Sequence, residues 1–354
     1  MKAINTNHAD QRFSTEIRNG QSLLELARDW LKQGNPVVAI ELLKSATCSS
    51  EAENNPELRA KVLKETGRAM MMQSAWEGAE NHFVEAQRLF LLHENWVGAA
   101  ECARNRANMY FQKGMYGKAE TLCQQALDWI ATLNDHQLRA TILNTLGAVK
   151  SATGDLRESI KVFRLCLADF QAAGNVIRQG YVLLNIGLTQ TELGEYVEAI
   201  QNLQEALAIA FSEKDLQLVE ICYQNIARCH LAEGETIMAR SVLDTARKIL
   251  PGLNSRALEV ELDLLDCKVL RAMGNTVNAE ERLNATYDAA VKNRLTSLQA
   301  DVLLEQGYLH RDTGAHSLAS CKLEAAASMY KQLGMDKGFQ DAVQVLENLR
   351  RRSA

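Results

Sequence analysis

No stretch of the 354 residues approaches 18 consecutive apolar residues, which excludes a membrane-spanning helix. The opening MKAINTNHADQRFSTEIRNG is polar and lacks the apolar core of a secretory signal. A Gly-rich phosphate loop, an HExxH helix, a CxxC pair and a serine-nucleophile elbow are all missing, so an enzymatic reading has no motif to start from. An excess of basic charge is missing too. The formal charge of −5 and pI near 5.9 argue against general nucleic-acid binding, because neutralising phosphates requires a basic surface, although a local basic patch is compatible with both values. Charged residues at 23% and hydrophobics at 47% describe a folded soluble chain rather than a disordered one.

Eight cysteines are present, but their positions do not suggest a disulfide framework. Cys123, Cys166 and Cys267 stand in repeat columns where neighbouring units carry Leu, Ala or Gly, so the cysteines read as reduced core residues suited to a reducing cytoplasm. Cys222, Cys229, His230, His310 and His316 come nearest to a metal set. On a helix His230 is rotated by about 100° from Cys229, so the plainer reading is two packed thiols and a column histidine. No metal or cofactor is expected.

What the chain does contain is a period. Gly34, Ser74, Gly114, Gly154, Gly194, Gly234, Gly274 and Gly314 recur every 40 residues. Five residues on, Ala39, Ala79, Ala119, Ser159, Ala199, Ala239, Ala279 and Ala319 form a second column. Seven residues before the glycines, Ala27, Gly67, Ala107, Gly147, Gly187, Ala227, Cys267 and Gly307 form a third, also of small residues. Between the columns, apolar residues such as Leu122, Cys123, Ala126, Trp129 and Ile130 step by three and four, as a buried helix face does. Each unit therefore reads as two helices joined at a glycine that adopts positive φ, with small residues letting the axes approach. Leu43, Phe83, Cys123, Phe163, Leu203, Leu243, Leu283 and Leu323, nine residues after the turn, are expected to fill the space beneath. Ala46, Ala86, Ala126, Cys166, Ala206, Ala246, Thr286 and Ala326 close the unit. Fixed-period units of this length stack, because none can bury its apolar face alone.

The spacing of these small residues resembles the tetratricopeptide repeat (TPR) consensus. The aromatic column of that consensus survives only as Trp30 and Tyr110, and the unit-closing proline is missing, with Pro36, Pro56 and Pro251 the only prolines. The 40-residue period is similar to the TPR arrays of kinesin light chain, of peptide-sensing bacterial regulators and of the sensor domain of the maltose-regulon activator. The expected fold is all-α, a right-handed α-solenoid of about eight TPR-like helix-turn-helix units over residues 21–330. A partly disordered lead-in over 1–20, with a short helix from Ser14, is expected before it. A capping helix and basic tail over 331–354 are expected after it, Phe339, Ala342, Val343, Leu346 and Leu349 forming one apolar stripe.

The resemblance places the first helix of each hairpin on a concave face. Groove-facing positions are then those three and two before, and one and four after, the small first-helix residue. They include Lys64, Arg68, Arg104, Asn105, Asn108, Asn185, Asn225, Arg228 and Lys268, with Asn144 one residue out of its column, and Lys61 joins them from the column of Glu101, six before the small residue. Asn105, Asn185 and Asn225 resemble the groove asparagines with which TPR domains hold a peptide backbone, since an amide both donates and accepts. The groove set holds nine basic residues against six acidic, with an apolar middle at Phe111, Tyr181, Leu184, Leu188 and Ile221. That pattern implies a protein or peptide partner with acidic and apolar residues. The competing reading is that these bases pair with glutamates of neighbouring units. Two functions follow from the resemblance: a non-catalytic scaffold or adaptor holding a partner segment in the groove, or a sensor whose superhelix closes on a short peptide or small effector. The short flanks leave no expected room for an output domain, which favours the adaptor. Self-association through terminal helices or the convex face remains open.

Overall fold

The computed structural model describes residues 19–249 and 256–353. The lead-in expected over 1–20 lies outside these residues apart from Asn19 and Gly20, as does Pro251. Every regular element among the described residues is a helix. The chain divides into two compact units, Met1–Asn175 and Val176–Ala354, where the repeat alone predicts one array.

The first unit contains the hairpins α1 (Gly20–Lys32) and α2 (Pro36–Thr47), α4 (Pro56–Met72) and α5 (Trp76–Leu92), α6 (Trp96–Gln112) and α7 (Tyr116–Trp129), and α8 (His136–Ala152) and α9 (Leu156–Ala172). A one-turn helix, α3 (Ser50–Asn54), lies between α2 and α4 and was not expected. The second unit contains α10 (Val176–Leu193) and α11 (Tyr196–Ser212), α12 (Leu216–Ala232) and α13 (Thr236–Ile249), α14 (Arg256–Ala272) and α15 (Thr276–Lys292), α16 (Thr296–Asp312) and α17 (His316–Leu333), and the terminal α18 (Asp336–Ser353). No helix among the described residues is long and apolar enough to cross a membrane.

The glycine column makes the turns. Its seven glycines have φ between 71° and 85°, and Ser74 follows at 58°. In each hairpin the next residue's N–H reaches back five positions, as Glu235 does to His230 O at 2.8 Å, which caps the ended helix. The same turn also recurs between hairpins, at Glu94, Gly174, Lys214, Arg294 and Gly334, all with positive φ. The turn geometry therefore repeats about every half unit, and side chains that tolerate this backbone poorly hide three of those turns from the sequence.

The small columns are buried by close approach. A Cβ added at Gly67 would fall 2.8 Å from the Phe83 ring, and one at Gly147 would fall 2.6 Å from Phe163. The two phenylalanines of the filling column thus face glycines, and Gly187 and Gly307 likewise face Leu203 and Leu323, so every glycine of this column makes room for a filling side chain. Ser159, the polar member of the alanine column, donates its hydroxyl to Gly147 O at 2.8 Å. Ala342, Leu346 and Leu349 of α18 are buried, the two leucines against Ala319 and Leu323 of α17. All eight cysteines are free. Six are buried, and burial pushes Cys102, Cys123, Cys166, Cys222 and Cys267 up to about 12. Cys48 and Cys321, unlike the core reading, are exposed.

Candidate functional site

In the first unit the expected basic floor is paired internally. Glu65 of α4, only 2% exposed, takes Arg28 Nε at 3.1 Å and Arg68 Nη1 at 2.6 Å, and Lys64 Nζ stands 3.8 Å away. Lys64 is bonded to Glu101 of α6, and Lys61 pairs with Glu57 at 2.8 Å. Arg104 donates to Oδ1 of the buried Asn105 at 2.6 Å. Asn108 and Asn144 are half-buried. Arg28 and Lys64 therefore neutralise acids of neighbouring hairpins, as in the competing reading of these residues, while Arg68 and Lys61 pair within α4. Asn105 is correspondingly engaged by a side chain of its own helix.

The second unit differs. A cleft of about 860 Å³ opens between its first helices. Leu188 comes from α10, Ile221, Gln224, Asn225 and Arg228 from α12, Glu261, Leu264, Leu265 and Lys268 from α14, and Leu298 and Asp301 from α16. Three of the expected site residues, Asn225, Arg228 and Lys268, meet here. Asn185 is half-buried on α10 but does not line the cleft, where its helix contributes Leu188 instead. Among the described residues no ion pair is formed by Arg228, Lys268 or Glu261. Asn225 spends an amide N–H on its own helix, bonding Ile221 O at 2.7 Å, so it offers less than the fully free amide expected. Asp301 accepts from Tyr330 Oη at 2.6 Å and likewise has no cation partner among the described residues.

Behind this cleft lies a residue that the sequence reading missed. Glu220 of α12 is 1% exposed, and its Oε2 has no hydrogen-bond partner among the described residues. Its Oε1 receives only a long bond, 3.4 Å, from Gln224 Nε2. Burial, with the charge of Glu261 across on α14 added to it, pushes the Glu220 carboxyl up to about 7. The signal was present in the repeat: the same column reads Gly20, Ala60, Ala100, Ala140, Gly180, Val260 and Ala300 elsewhere. A carboxyl stands where the other units place hydrogen, methyl or isopropyl.

The stability consequence has a definite sign. The folded-state pKa lies above the ordinary 4.5, so the contribution of Glu220 to stability is fully present below about pH 4.5 and is lost as pH rises to about 7, where the folded-state acid ionises. The Glu220→Gln variant should therefore melt above wild type at pH 8 and together with it at pH 4, as thermal unfolding followed by circular dichroism will read. An equal difference at both pH values would show that the carboxyl is not neutral in the fold.

Elsewhere in the unit, His230, Glu233 and Glu235 bring ligand atoms within 4.8 Å of one another, a grouping a cation could use. His230 Nδ1 is already bonded to Glu235 Oε2 at 2.7 Å, and both acids are exposed. Cys229, which the sequence reading considered beside His230, contacts Thr191 Oγ1 at 3.2 Å instead.

A family model described as MalT-like TPR region matches residues 100–306, more than half of the chain. No curated protein matches the sequence. Among solved structures, the apo form of RapI aligns with a TM-score of 0.67 at 11% identity, covering 98% of this chain and 92% of that one. The apo form of the quorum sensor NprR from B. thuringiensis aligns at 0.61 and 12% identity, covering 93% and 98%. A Rap protein complexed with competence and sporulation factor aligns at 0.58 and 14% identity, covering 94% and 98%. At these identities the likeness is one of fold.

Proposed function

Because the chain belongs to the MalT-like TPR family, we propose that it is a regulatory module that takes up a short peptide on the first-helix face of its Val176–Ala354 unit. The observation that carries this reading is the pairing contrast. Among the described residues, Arg228 and Lys268 have no ion-pair partner and border a cleft with an apolar floor, whereas Lys64 and Arg68 are already matched by Glu101 and Glu65. Charged groups held without partners beside apolar surface are a recognition surface rather than a structural one.

Size supports one of the two functions that the repeat left open. A cleft of about 860 Å³ falls in the range of small-ligand sites, about 300–1,000 Å³. A folded partner or long segment held as an adaptor's cargo would need about 800 Å² of contact on each side. The short-effector reading is therefore preferred to the adaptor reading, and the similar structures, a quorum sensor and a Rap protein in complex with competence and sporulation factor, are in keeping with it. Binding would act by favouring one arrangement of the array over another, so that a second surface reports the peptide.

The test is capture on the immobilised full chain from the native lysate, split into a peptide fraction and an intact-protein fraction, with bound species identified by mass spectrometry. Retention of short peptides that compete with one another supports the effector reading. Retention of intact proteins alone, undisturbed by the peptide fraction, would return the adaptor to first place.

A further inference from the structure

The cleft is polarised along its helices. Glu261 lies near the start of the cleft face of α14, and Lys268 lies seven positions later. On α12 the buried Glu220 precedes Arg228 by eight positions, and Asp301 of α16 lies early in its helix, as Glu261 does. Seven to eight helical positions span about 10–12 Å along the axis. Between the two ends the floor is apolar, with Ile221, Leu264 and Leu265. One end is therefore acidic, the other basic, and the middle greasy.

Building on the peptide reading above, we propose that the cleft holds a free peptide of three or four residues by both termini, its ammonium at Glu261 and Asp301 and its carboxylate at Arg228 and Lys268. An extended chain advances about 3.3–3.6 Å per residue, so three or four residues span the two ends. The acidic end also has a reserve. Glu220, bonded through Gln224 to the cleft wall and facing the charge of Glu261, is a buried carboxyl with an unpartnered oxygen. A cation arriving at Glu261 lowers the cost of ionising Glu220. Its carboxyl O–H then gives its proton to solvent, and the carboxylate pairs with the newly buried ammonium. Uptake of the peptide is thereby coupled to release of one proton and strengthens as pH rises through neutrality.

The experiment uses the immobilised full chain and four pools of randomised tetrapeptides: free, N-acetylated, C-amidated and blocked at both ends. The free pool should be retained about tenfold better than either singly blocked pool, the measure of one lost charge contact. The Glu261→Gln, Asp301→Asn variant should lose the discrimination against acetylation and keep that against amidation. Retention of the free pool should rise between about pH 5.5 and about pH 7.5 in the wild type and stay flat in Glu220→Gln. Equal retention of the free and doubly blocked pools would overturn the two-ended arrangement while leaving the peptide reading standing. Undiminished discrimination against acetylation in the Glu261→Gln, Asp301→Asn variant would also overturn it. Retention of none of the pools would overturn the arrangement and the peptide reading together.

Discussion

Reversing two charges, in the Arg228→Glu, Lys268→Glu variant, should weaken retention of a free short peptide by roughly 100-fold or more, because each attraction to a carboxylate becomes a like-charge contact. The melting temperature should change little. Neither side chain has an ion-pair partner among the described residues, and Arg228 is exposed, so reversal removes no structural contact. The companion variant in the first unit, Lys64→Glu with Arg68→Glu, is expected to do the opposite. It leaves the buried Glu65 with Arg28 alone beside added negative charge and deprives Glu101 of its partner, so the fold loses stability while peptide retention by the surviving folded protein is unaffected. Thermal melts and capture assays on the two variants, compared side by side, check both halves. Equal loss of retention in both would mean that the pairing contrast does not mark the site.

Removing one carboxylate from the second unit should cost more stability than any surface change there. Asp266 of α14 is fully buried among Arg240 and Arg247 of α13 and Arg282 of α15. Arg240 Nη1 lies 2.8 Å from Oδ1 and Arg247 Nη1 3.3 Å from Oδ2. The corresponding positions of other units carry Leu26, Thr66, Arg106, Leu146, Ile186, Ile226 and Gln306, none of them acidic, so the ionic staple that Asp266 makes across three helices is particular to this unit. Asp266→Ala leaves a void and up to three guanidiniums without their common partner, a loss of about 3–5 kcal/mol for a broken buried pair. Because the arginines are each about one-third exposed and can turn to water, the lower end of that range is expected. Asp263→Ala removes a half-exposed member of the same network and should cost less than about 1 kcal/mol. Urea unfolding midpoints measure the difference, and similar losses in the two variants would refute the staple.

How much could be read beforehand follows from what a repeat can and cannot display. The hairpins were legible because glycine is needed where φ is positive, and because Gly67 and Gly147 leave room for Phe83 and Phe163. The matching turns between hairpins were not, since Glu94, Lys214 and Arg294 occupy left-handed positions without the glycine that would have announced them. For the candidate site, columns identified which side chains share a face but not which were already satisfied. That information lay in a second spacing. Arg28 reaches Glu65 and Lys64 reaches Glu101, each 37 residues on. The position 37 beyond Arg228 is Leu265, and the one 37 beyond Lys268 is Glu305, which Arg271 takes at 2.5 Å. Glu220 escaped notice for the opposite reason: it departs from a column of small residues, and a search for catalytic pairs does not look among alanines.

Photo-crosslinking tests the central claim most directly. A captured short peptide is resynthesised with a photoreactive leucine in place of an apolar residue, irradiated on the full chain, and the adducts are located by mass spectrometry. Adducts at Leu188, Ile221, Leu264 or Leu265 are the result predicted by a peptide lying on the apolar floor of the Val176–Ala354 cleft. Adducts confined to the first unit, around Lys64 and Asn105, would contradict it.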